Sequence, residues 1–132
     1  MNDNLCDTCN VPETSCHFLL TCKQVNLYWK IISCLIRNIF DHEIRMNERV
    51  LIVGHDIGNK KMELVNLILN FAQFIIYRNY IKTRNEGKKH QVNTNYLLKD
   101  LKAEIVVFLS LKSNHKRFDS REMEQLIHSF SV

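Results

Sequence analysis

The sequence predicts an all-α fold: a small N-terminal zinc knuckle followed by a bundle of about four helices. Three observations predict it. The 132-residue chain holds only three Gly and one Pro, too few turn formers for a turn-rich β fold. Apolar residues recur at helical spacing through most of its length. Four of its five cysteines lie between Cys6 and Cys22, in the spacing of a metal site. The expected organisation is a knuckle module over residues 1–30 leading into the first helix, with residues 31–132 forming a helical domain packed on it as one structural unit.

The knuckle rests on Cys6, Cys9, His17 and Cys22. Zinc takes four soft or borderline ligands in a tetrahedron, and a CxxC pair can put both sulfurs on one ion because the two intervening residues make a tight turn. Asp7 and Thr8 suit that turn. The HxxxxC pair supplies the other two ligands from a loop leading into a helix. Three thiolates and one imidazole leave no open position, so one structural zinc is expected. Cys16, directly before His17, is an alternative ligand in its place. Disulfides or inert buried thiols are the competing readings, and an odd cysteine count in a reducing compartment argues against disulfides. Cys34 is expected as a small core residue.

From Val25 to Phe40, Leu27, Tyr28, Ile31, Ile32, Leu35, Ile36 and Ile39 give a broad apolar helical face, on a helix expected to start near Cys22. Trp29 is expected to pack over the metal module and seal it from water. Arg37, Asp41 and His42 mark a polar end. Residues 41–59 read as a connection in which Val50 to Val53 form a helical turn after an Asn47 cap. The longest helix is expected from an Asn59 cap to Gly87, with one narrow polar stripe at Glu63, Asn66, Asn70, Gln73 and Tyr77 as its solvent edge. Thr94 is the expected cap of a helix ending near Leu111, whose apolar positions are Leu97, Leu98, Leu101, Ile105, Phe108 and Leu109. Asp119 with Glu122 reads as a capping box for a last helix carrying Met123, Leu126, Ile127 and Phe130.

Composition narrows function further. At 45% hydrophobic the chain can bury a modest core. The start MNDNLCDTCN lacks a basic and then apolar leader, so an intracellular chain, in nucleus or cytoplasm, is expected. The segment from Leu64 to Tyr77 is too short and too interrupted by Asn66, Asn70 and Gln73 to span a bilayer. The net charge of +4 is uneven: residues 1–59 carry five Lys/Arg against seven Asp/Glu, and residues 60–132 carry thirteen against seven. A polyanion should meet the C-terminal half first. The candidate contact cations there are Arg78, Lys82, Arg84, Lys88 and Lys89, then Lys112, Lys116, Arg117 and Arg121 near His115. Tyr77 and Tyr80 lie among the first group as candidate stacking partners for bases. The plainer reading of both groups is solvated helix ends.

Catalytic signatures are not found. The sequence has no paired-aspartate turn, glycine-rich phosphate loop or nucleophile elbow, so no enzyme activity is expected. Asp41 with His42 and His55 with Asp56 are neighbours in sequence that do not face together on a helix, and they read as turn residues.

The run Glu13, Thr14, His17, Phe18, Leu19, Leu20, Thr21, Cys22, then Tyr28 and Trp29, with the CxxC pair before it, resembles the zinc-binding segment that follows the reverse transcriptase domain in LINE-type non-LTR retrotransposons. Those segments read CxxC, a glutamate, HxFxxC and a tryptophan. This chain has Asn10 where that family often has Gly, and Lys23 where it often has Pro; Asn still tolerates a left-handed turn. The stretch from Phe71 to Arg78 is similar to the helix after the knuckle, with Gln73 where Lys is common. The resemblance implies an accessory, nucleic-acid-gripping tail, RNA or DNA being the partner, with an upstream polymerase domain as a further one. A chain starting just before the knuckle would then be a fragment of such an element. The alternatives are a zinc-stabilised protein-interaction module and a relic without function.

Overall fold

The structure, a computed structural model, describes residues 5–54, 62–111 and 118–131. Five α-helices occur among the described residues: α1 (Asn26–Phe40), α2 (Glu48–Val53), α3 (Glu63–Asn85), α4 (Thr94–Ser110) and α5 (Ser120–Ser131). No β-strand occurs among the described residues, only an isolated bridge between Leu5 and Pro12. The expected all-α architecture is what the chain adopts, with α1, α3, α4 and α5 as its four longer helices. No described helix is long and apolar enough to cross a membrane.

The metal loop enters α1 through two short turns. His17–Thr21 is a π-helical turn and Lys23–Val25 a 3₁₀ turn. The expected helix start at Cys22 moves to Asn26, because Cys22 is extended (φ −62°, ψ 135°) and interrupts the helical backbone. Tyr28, Trp29, Ile32 and Ile36 are the buried face of α1. Its apolar stripe is broader than its cover: Leu27 is 55% exposed and Ile31 38%. Cys34 is exposed rather than in the core, since it lies off the side of α1 that Ile32 and Ile36 bury. Asp41 stops α1 in the left-handed conformation, its N–H reaching back to the Arg37 carbonyl.

Asn47 caps α2 as expected, its Oδ1 accepting from the Val50 N–H at 2.9 Å. The Asn59 cap expected for α3, with His55 and Asp56, lies outside the described residues, and α3 itself begins at Glu63. Leu64, Val65, Ile68, Leu69, Ala72, Ile75 and Ile76 bury one side of α3, and the stripe from Glu63 to Tyr77 lies at or near solvent. The Tyr28 hydroxyl donates to the Ala72 carbonyl at 2.9 Å, pinning α1 to the middle of α3 in a fully buried setting. Gly87 (φ +72°) ends α3 with Lys88 N–H on the Thr83 carbonyl, a left-handed stop that favours glycine.

Helix α4 lies against α3, α1 and α5. Leu97, Leu101, Ile105 and Leu109 are its buried row, and Phe108 meets Phe71 edge-on at 5.5 Å. Its cap is Asn93 rather than Thr94: the Asn93 side chain accepts from Tyr96 N–H at 3.1 Å, which starts the helix one residue earlier than expected. Asp119 caps α5 through the Glu122 N–H at 3.0 Å, and Met123 and Leu126 face inward. The Phe130 side chain lies outside the described residues, as do Lys112, His115, Lys116 and Arg117.

Candidate metal centre

Short-range backbone bonds bring the CxxC pair into shape. Cys6 N–H bonds to the Val11 carbonyl at 2.9 Å and Asn10 N–H to the Cys6 carbonyl at 2.8 Å. Closing that turn needs a left-handed residue, and Asn10 takes it (φ 56°), as its residue type allows. The HxxxxC pair poses a different problem. An α-helix aligns residues three and four apart, not five. The π turn solves it, since Cys22 N–H bonds to the His17 carbonyl at 2.8 Å and both side chains turn to one side. The Trp29 indole N–H donates to the Leu19 carbonyl at 2.8 Å, so the buried tryptophan holds that turn from α1.

The structure brings together all four expected ligands. One ligand atom from each of Cys6, Cys9, His17 and Cys22 lies within 4.8 Å of the others. Cys6 Sγ is 3.8 Å and Cys9 Sγ 3.9 Å from Cys22 Sγ. Two sulfurs about 2.3 Å from a tetrahedral zinc stand about 3.8 Å apart, so the sulfur spacing already matches a bound ion. The donor set of three thiols and one imidazole suits zinc among the common divalent ions. What the residues establish is a Cys3His cluster able to hold a metal. Cys16 stands outside the cluster, its Sγ hydrogen-bonded to Glu48 Oε1 at 3.2 Å.

The thiols differ in readiness. The Lys23 backbone N–H, 3.4 Å from Cys9 Sγ, draws the Cys9 thiol below its ordinary value. Burial pushes the Cys22 thiol up to about 12. A metal must therefore displace a firmly held proton at Cys22, and its binding is coupled to pH. Around His17, Nδ1 lies 3.2 Å from Thr21 Oγ1, and Nε2 lies 3.9 Å from Glu13 Oε1. Both Nε2 and Glu13 Oε1 are buried without a hydrogen-bond partner.

Contacts from Gln24, Lys89 and Phe18 tie the cluster to the end of α3 and the connection that follows it. Gln24 Nε2 reaches Cys22 Sγ at 3.8 Å and the His90 carbonyl at 3.2 Å, while Gln24 Oε1 accepts from Val92 N–H at 3.0 Å. Lys89 Nζ holds the CxxC loop by the Leu5 carbonyl at 3.1 Å and Asp7 at 3.0 Å. Phe18 stacks on Tyr80 at 3.9 Å, and the buried His90 ring meets both edge-on. Sequence reasoning missed Gln24 and His90, because neither carries a local signal.

The expected polyanion-binding cations divide into two sets. Arg78 is held by Glu104 at 2.9 Å and Asp100 at 3.1 Å, Lys88 faces Glu86 at 3.8 Å, and Lys89 is engaged with the metal loop. Lys82 lies over the Tyr96 ring and Arg84 over Tyr80, and no described carboxylate pairs with either. Comparison with protein-family models, with curated proteins and with solved structures finds no match to this chain.

Proposed function

We propose that this chain is a zinc-stabilised helical module that grips nucleic acid, the accessory role implied by its resemblance to the segment after a LINE-type reverse transcriptase domain. One observation carries the reading: at the end of α3, Lys82 and Arg84 have no described carboxylate partner and lie over the Tyr96 and Tyr80 rings, with further exposed rings on α3. Phe74, Tyr77 and Tyr96 are each about half exposed, and Lys82 and Arg84 stand beside Tyr96 and Tyr80. Exposed rings accept unstacked bases, and cations on flexible stems meet phosphates. The module needs no reaction of its own for this role. Its five thiols, all free, suit a reducing compartment, the nucleus or cytoplasm.

The test has two parts. Native mass spectrometry after zinc-supplemented expression should find one zinc per chain; the apo mass alone would remove the metal from the proposal. Fluorescence anisotropy of the zinc-loaded chain with short RNA and DNA should show binding that weakens with salt and falls when Lys82 and Arg84 become Ala. Absence of binding at low salt would overturn the nucleic-acid reading.

A second reading has its own observation. Ile31, 38% exposed, lines a cleft of about 370 Å³ together with Ile32, Leu35, Leu98, Lys99 and Lys102, and Leu27, one turn earlier on α1, is also exposed. Such a face suits docking of a protein partner, an upstream polymerase domain among them.

A further inference from the structure

We propose that the cleft between α1 and α4 docks an acidic amphipathic helix of a partner protein, whose apolar face fills the cleft and whose carboxylates meet Lys99 and Lys102. This gives a chemistry to the protein-docking reading above, on which it rests, and it is independent of the nucleic-acid grip.

The floor of the cleft is aliphatic and partly uncovered. Leu27, Ile31 and Leu35 stand four residues apart on α1, so they share one side of that helix over about 12 Å. Leu27 is the most exposed of the three, Ile31 and Leu35 line the cleft, and Leu98 on α4 faces them across it. One exposed aliphatic residue is ordinary on a folded surface. Two on consecutive turns that continue into an apolar cleft make a patch that a partner can bury.

The rim carries one sign of charge. Helix α4 has four charged residues, Lys99, Asp100, Lys102 and Glu104. Its two carboxylates both reach Arg78 on α3, Asp100 at 3.1 Å and Glu104 at 2.9 Å. Its two lysines line the cleft instead, and no described carboxylate pairs with either. No acidic side chain is among the described residues that line the cleft. The fold therefore sorts the charges of α4, with acids toward α3 and cations beside the aliphatic floor. A partner that covers this floor brings its own charges against that edge, where carboxylates are favoured and cations are repelled.

The same observations select the occupant. No β-strand occurs among the described residues, so α1 and α4 offer side chains rather than a strand edge. Their spacing suits a helix with apolar residues at i, i+4 and i+7, which lays its ridge between theirs. A nucleic acid fits this face poorly, because no aromatic ring lines the cleft to stack on a base, whereas the end of α3 has such rings. A second copy of the chain fits poorly as well. Two-fold pairing through this face would set the lysines of both copies in one contact, in a chain whose net charge is already +4.

The test uses the full chain in zinc-containing buffer and two fluorescein-labelled helix-forming peptides of about 18 residues. Both carry Leu at i, i+4, i+7 and i+11; one has Glu at the flanking positions and the other Lys. Anisotropy should show binding of the Glu peptide and at least about tenfold weaker binding of the Lys peptide. Leu27→Ser should weaken the Glu peptide, and circular dichroism should be unchanged because that side chain lies outside the core. The double variant Lys99→Glu with Lys102→Glu should exchange the preference, losing the Glu peptide and gaining the Lys peptide. Equal binding of both peptides, with both weakened by Leu27→Ser, would overturn the acidic chemistry and leave the docking face standing. Binding of neither would overturn the docking reading and this inference with it. Dimerisation of the chain that Leu27→Ser abolishes would replace the partner by a second copy. Loss of oligonucleotide binding in the double variant as large as in Lys82→Ala with Arg84→Ala would assign the lysines to phosphate. Either result would overturn the proposal.

Discussion

His90 should make this fold acid-sensitive in a defined window. Its side chain is 5% exposed, neither ring nitrogen has a hydrogen-bond partner, and it is wedged edge-on against Phe18 and Tyr80. Burial first, and the nearby His17 second, lower its pKa from 6.5 to about 4. A metal on His17 would change the second cause and leave the first. The folded chain therefore keeps His90 neutral at a pH where the unfolded chain protonates it. Stability from this residue is complete above pH 6.5, falls as pH drops below that value, and levels off below about 4. Lowering the pKa from 6.5 to about 4 corresponds to roughly 3 kcal/mol across that window. That is a large part of the 5 to 15 kcal/mol typical of a small domain. His90→Leu removes the titration and the two unsatisfied nitrogens while filling similar space. Urea unfolding of zinc-loaded wild-type and variant chains between pH 7.5 and 4.5 measures it. Acid also releases metal from the cysteine ligands, so the difference isolates His90 over the pH range in which native mass spectrometry still finds the metal bound in both chains. The variant should match or exceed the wild type at pH 7.5 and lead by roughly 2 to 3 kcal/mol at pH 4.5. A difference that stays flat with pH, or a His90 titration midpoint near 6.5 by NMR, would refute the reasoning.

Other perturbations have equally direct readouts. Cys9→Ala should abolish one-to-one zinc binding and unfold the knuckle, because structural zinc in small modules is worth about 10 to 16 kcal/mol; circular dichroism and proteolysis around His17 would follow it. Tyr28→Phe deletes the buried hydroxyl that donates to the Ala72 carbonyl and should cost about 1 kcal/mol in denaturant unfolding. Asn93→Ala should cost about 1 kcal/mol and Thr94→Ala much less, since the Asn93 oxygen is the one that caps α4. Tyr96→Ala should weaken oligonucleotide binding by roughly 1 to 3 kcal/mol while leaving the melting temperature nearly unchanged, because that ring is 48% exposed.

Features set by neighbours in sequence were legible from the sequence, and features set by distant neighbours were not. Periodicity at Tyr28, Ile32 and Ile36, or at Leu97, Leu101 and Ile105, shows one face of a helix whatever covers it. The spacing of Cys6, Cys9, His17 and Cys22 announced a ligand set because a metal site in a short loop is built from local turns, including the left-handed one at Asn10. Asp119 and Asn47 were readable as caps for the same reason.

Tertiary structure decided the rest, because charge pairing and burial depend on what the fold brings alongside. Arg78 looked like a free cation, and Asp100 and Glu104, on another helix, engage it. Lys89 looked like part of a basic run, yet it spans 84 positions to hold the Leu5 carbonyl. His90 carries no local signal, and only the fold encloses it between Phe18 and Tyr80. Cys34 had the composition of a core residue, and its position around α1 put it in solvent. The sequence by itself determined which residues can ligate a metal and which faces are apolar. Only the packing of α1, α3 and α4 decided which cations remain unpaired and which imidazole loses its water, since both depend on groups far apart in the chain.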